Sequence, residues 1–119
     1  MAKGDLVYIE SPYAESESGS VEDHVEYTRL CMIDCIKRGE FPFVSHLLYP
    51  QVLDDLDASE RRQGMQSGKV WGALADLRVV YTDQGESKGM TWGIKHAVGL
   101  GQRVEYRSLR DEESDADCP

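Results

Sequence analysis

The apolar run Leu77-Arg78-Val79-Val80-Tyr81 passes into a polar, glycine-containing turn, Thr82-Asp83-Gln84-Gly85-Glu86. It then enters Ser87-Lys88-Gly89-Met90, which reads as a helix start. A short apolar strand that leads straight into a helix belongs to an open parallel α/β sheet, because the next parallel strand is reached by a crossover. In such sheets the strand-to-helix transition lies at the carboxyl edge. Free backbone N–H groups and a helix N-terminus converge there on ligands. The stretch is therefore expected to form the floor of a small-molecule site.

The rest of the chain repeats this alternation. Asp5 to Glu10 is rich in β-branched and aromatic residues and reads as a first strand, stopped by Pro12, which cannot continue a central strand. After a Ser- and Glu-rich loop, Ser20 is a candidate N-cap with Glu22 and Asp23 in the first turn. Val21, Val25, Thr28, Met32, Cys35 and Ile36 follow at helical spacing up to Gly39. Phe41 to Ser45 forms a short second strand. Ala58 to Ala75 reads as a helix capped by Asp57, with Glu60 placed as in a capping box. Lys88 to Leu100 forms the next helix, its apolar face made of Met90, Ile94, Ala97 and Val98, and Val104 to Tyr106 forms the last strand. The fold expected is α/β: a small Rossmann-like three-layer sandwich, mainly parallel, in the order β-α-β-α-β-α-β.

Gly64, Gly68 and Gly72 recur every four residues along the second helix, where each costs ~1 kcal/mol relative to alanine. A repeated cost on one face suggests a close neighbour. The expected neighbour is another helix, across the sheet or across a dimer interface, in preference to a ligand.

Length and charge narrow the function. A chain of 119 residues fits one domain, and residues 1–109 are expected to form it. The net charge is −9, of which the acidic tail from Arg110 to Pro119 holds −4; residues 110–119 are expected to be flexible. The remaining −5 opposes binding to a nucleic-acid polymer, which needs a basic face. No run approaches the ~18 apolar residues of a membrane span. Neither a membrane partner nor a signal segment is expected, and a cytoplasmic location is. The three cysteines, Cys31, Cys35 and Cys118, suit a reducing compartment, with Cys31 and Cys35 as small core residues. His24, His46 and His96 are too scattered to complete a zinc set. Asp54, Asp55, Asp57 and Glu60 could hold Mg²⁺ but fit better as a solvated loop paired with Arg61 and Arg62. No metal or cofactor is expected.

Candidate ligand-binding residues gather at the three strand exits. The first exit supplies Ser11, Pro12 and Tyr13, a hydroxyl and a ring that could stack on a base. The second supplies His46 and Tyr49; the imidazole could act as acid, base or phosphate partner. The third supplies Asp83 for sugar hydroxyls, the candidate cap Ser87, and Lys88, Gly89 and Met90, whose N–H groups could hold an anion. Neither a phosphate loop nor a dinucleotide fingerprint is present.

Three segments carry a family resemblance. Val7-Tyr8-Ile9-Glu10-Ser11-Pro12-Tyr13 resembles the first-strand motif of nucleoside 2-deoxyribosyltransferase-like proteins. Ala75-Asp76-Leu77-Arg78-Val79-Val80 resembles their helix-to-strand junction, and Asp83 through Gly89, followed by Ala97, resembles their helix start. The middle, Pro42 to Gly68, is similar to small members of phage and actinobacterial type. The resemblance spans the chain to Leu109. It implies a nucleoside pocket, a homodimer or higher homo-oligomer, for which the glycine-rich helix is the expected packing face, and enzymes that cleave or exchange an N-glycosidic bond. It also implies a glutamate nucleophile one turn beyond Gly89, where this chain has Gly93. The resemblance thus favours a nucleoside- or nucleotide-binding protein without glycosyl transfer, such as a phage counter-defence protein that sequesters a nucleotide signal. The alternative is an N-glycosidase or deoxyribosyltransferase using Glu86, Glu10 or Asp83. A purely structural role is the third reading.

Overall fold

The computed structural model describes residues 4–110. The elements are β1 (Leu6–Glu10), α1 (Val21–Lys37), β2 (Phe41–Phe43), two 3₁₀ turns (Ser45–Leu47 and Tyr49–Gln51), α2 (Ala58–Gly72), β3 (Leu77–Tyr81), α3 (Lys88–Gly99) and β4 (Arg103–Arg107). The sheet runs β2-β1-β3-β4, every pair parallel, with Tyr8 beside Phe43 and Arg78, and Val79 beside Glu105. This is the alternating α/β sandwich that the sequence implies. The acidic tail from residue 111 lies outside the described residues. Among the described residues no helix is long and apolar enough to cross a membrane.

Side chains alternate across the sheet, and the two faces differ in chemistry. Val7, Ile9, Leu77, Val79 and Tyr81 face α1 and pack on Tyr27, Cys31 and Cys35 in the main core. Burying an aliphatic side chain of this size contributes roughly 1.5–3 kcal/mol, so this face supplies most of the cohesion. The opposite face carries Tyr8, Glu10 and Arg78 beneath α2 and α3, all buried. A charged pair inside a small sheet costs solvation, and it marks the face on which the cleft lies.

The helices begin where the caps direct. Ser20 Oγ accepts from Asp23 N–H, and the Asp23 carboxylate accepts from Ser20 N–H. Ser87 Oγ accepts from Met90 N–H. Asp57 accepts from Ser59 and Glu60 N–H, but Glu60 reaches Asp54 N–H instead of completing a capping box at Asp57. The inward face of α1 is also more polar than its apolar spacing implied. His24, Tyr27 and Asp34 are buried with Thr28, Cys31 and Cys35, whereas Ile36 is exposed. Hydrogen bonds allow this: Tyr27 donates to Asp83, and Tyr81 donates to Asp34. On α3, Val98 points to solvent while Ala97 is buried.

The glycine stripe of α2 meets this chain's own sheet and the first 3₁₀ turn. A Cβ on Gly68 would come within 2.7 Å of Ser45 Oγ, and one on Gly72 within 2.8 Å of Arg78 Nη2 and 3.3 Å of the Tyr8 ring. That face is occupied within the chain, which corrects the expectation of a partner helix packed against the stripe.

Candidate functional site

β1 is flanked by β2 on one side and β3 on the other, so the chain reverses direction across the sheet at β1. The carboxyl ends of β1 and β3 open there into a crevice. A cleft of about 590 Å³ occupies this position. Its size falls within the ~300–1,000 Å³ typical of small-molecule sites.

The first wall is the β1 exit. Ser11 Oγ shares a 2.7 Å hydrogen bond with Thr28 Oγ1 on α1 and lies 3.2 Å from His46 Nε2. The Tyr13 carbonyl accepts from His24 Nδ1 at 3.2 Å, while His24 Nε2 bonds Ser18 Oγ. The buried His24 thereby ties the loop after Pro12 to α1. The Tyr13 and His46 rings lie 5.7 Å apart, tilted by 55°. Burial, with a smaller electrostatic contribution from the nearby His24, pushes the His46 pKa down to about 4. At neutral pH His46 is an uncharged hydrogen-bonding ring. It does not supply the cation that a phosphate partner requires.

The second wall is the α3 start. Ser87, Lys88, Gly89, Met90, Trp92 and Gly93 line the cleft. Gly85 turns the chain with φ +82°, a conformation that favours glycine. Glu86 also lines the cleft, and its carboxylate accepts from Thr91 Oγ1. The third wall is α2 with the preceding loop: Met65 and Lys69, together with Arg61 near Asp55 at 4.0 Å.

The floor holds Tyr8, Ser45, Arg78 and Glu10. Tyr8 and Ser45 share a 2.6 Å hydrogen bond, and burial pushes the Tyr8 phenol up to about 12. Arg78 Nη1 donates to Glu10 Oε2 at 2.8 Å and to the Gly93 carbonyl at 3.2 Å; its Nε donates to Gln102. The guanidinium lies 4.4 Å from the Tyr8 ring centroid, a cation–π contact. Burial drives the Glu10 pKa up to about 7, with Arg78 opposing and Glu86 adding to the rise.

Of the residues expected at the site, Ser11, Pro12, Tyr13, His46, Ser87, Lys88, Gly89 and Met90 line this cleft, as do the two carboxylates Glu10 and Glu86. Tyr49 lies in an adjoining cavity of about 80 Å³ that shares Ser45, His46, Asp55, Arg61 and Met65. Asp83 turns away from the cleft. Its carboxylate accepts from Tyr27 Oη, Ser108 Oγ and Leu109 N–H. Burial works to raise its pKa, yet these hydrogen bonds outweigh it and hold the carboxylate below its usual range. Asp83 fastens β3 to α1 and to the segment after β4, and is not free for sugar hydroxyls. The Asp54–Glu60 acids do not gather either: among the described residues no three His, Cys, Asp or Glu side chains converge as metal ligands.

Sequence reasoning missed Tyr8, Ser45, Met65, Lys69, Arg78 and Trp92. For two of them a signal existed. Tyr8 shares a face with Glu10 by strand alternation, and Arg78 is a lone charge in an otherwise apolar strand.

A family model described as "Domain of unknown function (DUF7768)" matches residues 5–107, and the chain belongs to that family. No curated protein matches it. Among solved structures it is similar to a 2-deoxyribosyltransferase from the psychrotolerant bacterium Bacillus psychrosaccharolyticus. The two share 18% identity at a TM-score of 0.63, over 87% of this chain and 72% of that one. At that identity the likeness establishes a shared fold.

Proposed function

We propose that this DUF7768 chain binds a nucleoside- or nucleotide-type ligand at the carboxyl ends of β1 and β3, without glycosyl transfer. One observation carries the reading. A cleft of about 590 Å³ at the strand-order reversal combines an aromatic pair, Tyr13 and His46, with hydroxyl, carboxylate and cationic groups. An aromatic face suits a planar base and the polar groups suit a sugar or its phosphate. The 2-deoxyribosyltransferase that shares the fold, whose described use is nucleoside synthesis, supports the ligand class. The absence of transfer rests on Gly93, the position at which the resemblance places the nucleophile. Residues 1–109 act as one domain that carries the whole site. The use we assign is sequestration of a nucleotide signal in the cytoplasm, as a phage counter-defence protein would do, with the chain working as a homo-oligomer.

Calorimetry against the four 2′-deoxynucleosides and their 5′-monophosphates tests binding, and chromatography of the same mixtures tests for free base. Heat of binding without free base is expected. No heat with any of the eight compounds contradicts the reading.

A second reading, N-glycosidic cleavage or transfer on the same compounds, is favoured by one observation. Glu10 lies on the cleft floor with one oxygen that takes no hydrogen bond from the described residues. Release of free base that disappears in Glu10→Gln would establish it in place of the first.

A further inference from the structure

Gly93 and Glu10 occupy one space. A Cβ built on Gly93 would fall 2.1 Å from Glu10 Oε2, 2.7 Å from Cδ and 3.0 Å from Oε1. These distances are far below van der Waals contact, and all three atoms belong to the carboxylate itself. No side chain at position 93 can coexist with Glu10 where it lies. The glycine is buried in the middle of α3, between Met90 and Ala97 on the same inward face, where helix propensity alone favours alanine by ~1 kcal/mol. Its presence there is explained by the carboxylate it admits.

The carboxylate is more than a counter-ion. A guanidinium and a carboxylate that serve only each other pair best through two parallel hydrogen bonds. Here Arg78 gives Glu10 one, from Nη1 to Oε2. Nη2 is buried beside Gly72 without a hydrogen-bond partner among the described residues. Oε1 takes no hydrogen bond from the described residues, is not among the atoms buried without a partner, and belongs to a residue that lines the cleft. Arg78 therefore orients the carboxylate by one oxygen and leaves the other for what enters the cleft.

Resting on the reading of the cleft as a nucleoside or nucleotide site, we infer that Glu10 is its ligand-contacting acid and that Gly93 is the seat that makes room for it. An acidic group at this point of the cleft can be carried on β1 or on α3, but not on both. The groups it would recognise are hydrogen-bond donors, namely sugar hydroxyls or the N–H edge of a base. A phosphate is disfavoured at this spot and is better served by the lysines of the cleft walls, Lys69 on α2 and Lys88 on α3. The charged and titratable groups around Glu10 are Arg78 on β3, Glu86 before α3 and Tyr8 on β1. With them the affinity should change with pH near neutrality.

The test compares wild type with Glu10→Gln, Gly93→Glu and the double variant Glu10→Ala/Gly93→Glu, by calorimetry with the same four 2′-deoxynucleosides and their 5′-monophosphates between pH 5.5 and 8.5. Glu10→Gln keeps the shape and the bond to Arg78. It should weaken binding at least tenfold and flatten the pH profile. Gly93→Glu alone should lose binding, because two side chains contend for one space. The double variant should recover affinity to within about threefold of wild type. Wild-type affinity in Glu10→Gln overturns the inference while leaving the cleft reading intact. So does a folded double variant that fails to recover. Should the double variant not fold, Glu10→Gln and its pH profile decide alone. Wild type that binds none of the eight compounds overturns the inference together with the reading it rests on.

Discussion

Gly64, Gly68 and Gly72 lie on one stripe of α2, yet alanine should act on the first two in opposite directions. At Gly64 a Cβ would meet Leu53 Cδ1 at 3.5 Å and Tyr49 Cβ at 3.6 Å, which is ordinary contact. Gly64→Ala should therefore keep the helix-propensity gain and stabilise the fold by about 0.5–1 kcal/mol. At Gly68 the same atom would come within 2.7 Å of Ser45 Oγ, 2.9 Å of Ser45 Cβ and 3.0 Å of Tyr8 Oη. Ser45 and Tyr8 hold each other at 2.6 Å, so neither can retreat without breaking that bond. Overpacking of about 1–3 kcal/mol and a lost hydrogen bond of about 1 kcal/mol exceed the propensity gain, for a net loss of about 1–3 kcal/mol. At about 4 °C per kcal/mol for a domain of this size, Gly64→Ala should raise Tm by about 2–4 °C and Gly68→Ala lower it by about 4–12 °C. Urea unfolding followed by circular dichroism, with unchanged m-values, checks both. A Gly68→Ala protein as stable as wild type would refute the claim that the stripe carries the contact of α2 with Ser45 and Tyr8.

Other expectations follow from the same contacts. Glu10, pushed up to about 7, takes up a proton on folding, so its contribution to stability is fullest below the unfolded value of 4.5 and is lost as pH rises through 7. His46, pushed down to about 4, gives up a proton on folding, so its contribution is present above the unfolded value of 6.5 and is lost as pH falls through 4. The two slopes oppose each other. Unfolding free energy should rise with pH in Glu10→Gln and fall in His46→Asn, each by on the order of 1–3 kcal/mol between pH 4.5 and 6.5. Urea titrations with the same slope in both variants would refute this. Asp83→Ala strands the Tyr27 and Ser108 hydroxyls and should cost about 2–4 kcal/mol of stability, with ligand affinity at 15 °C unchanged; a tenfold loss of affinity would return Asp83 to the cleft. Tyr13→Ala should weaken nucleoside binding by about 1–2 kcal/mol through lost stacking, with little change in Tm, as read by calorimetry and thermal melts.

The fold was legible because local signals agreed. Ser20, Asp57 and Ser87 cap the helices where their spacing implied, and the run 77–81 is β3. The exits of a parallel sheet were where a cleft was expected, and a cleft opens at the ends of β1 and β3. The parts that escaped depend on contacts distant in sequence. The buried face of α1 carries His24, Tyr27 and Asp34 because partners on other elements accept or supply their hydrogen bonds, and periodicity of apolar residues cannot see that. Asp83 looked free at a strand exit, but its partners, Tyr27 and Ser108, come from opposite ends of the chain. The glycine stripe signalled close approach correctly and said nothing of what approached. Gly93 looked in the sequence like a missing acid. In three dimensions the Glu10 carboxylate fills its space.

The central claim is that a nucleoside or nucleotide binds at the carboxyl edge of β1 and β3. Titration of ¹⁵N-labelled protein with 2′-deoxyadenosine 5′-monophosphate tests it most directly. Saturable shifts are expected at the amides of Ser11, Tyr13, His46, Gly89, Met90 and Gly93, with Asp83 and Ser108 unmoved. The absence of saturable shifts, or shifts confined to residues away from the cleft, would contradict it.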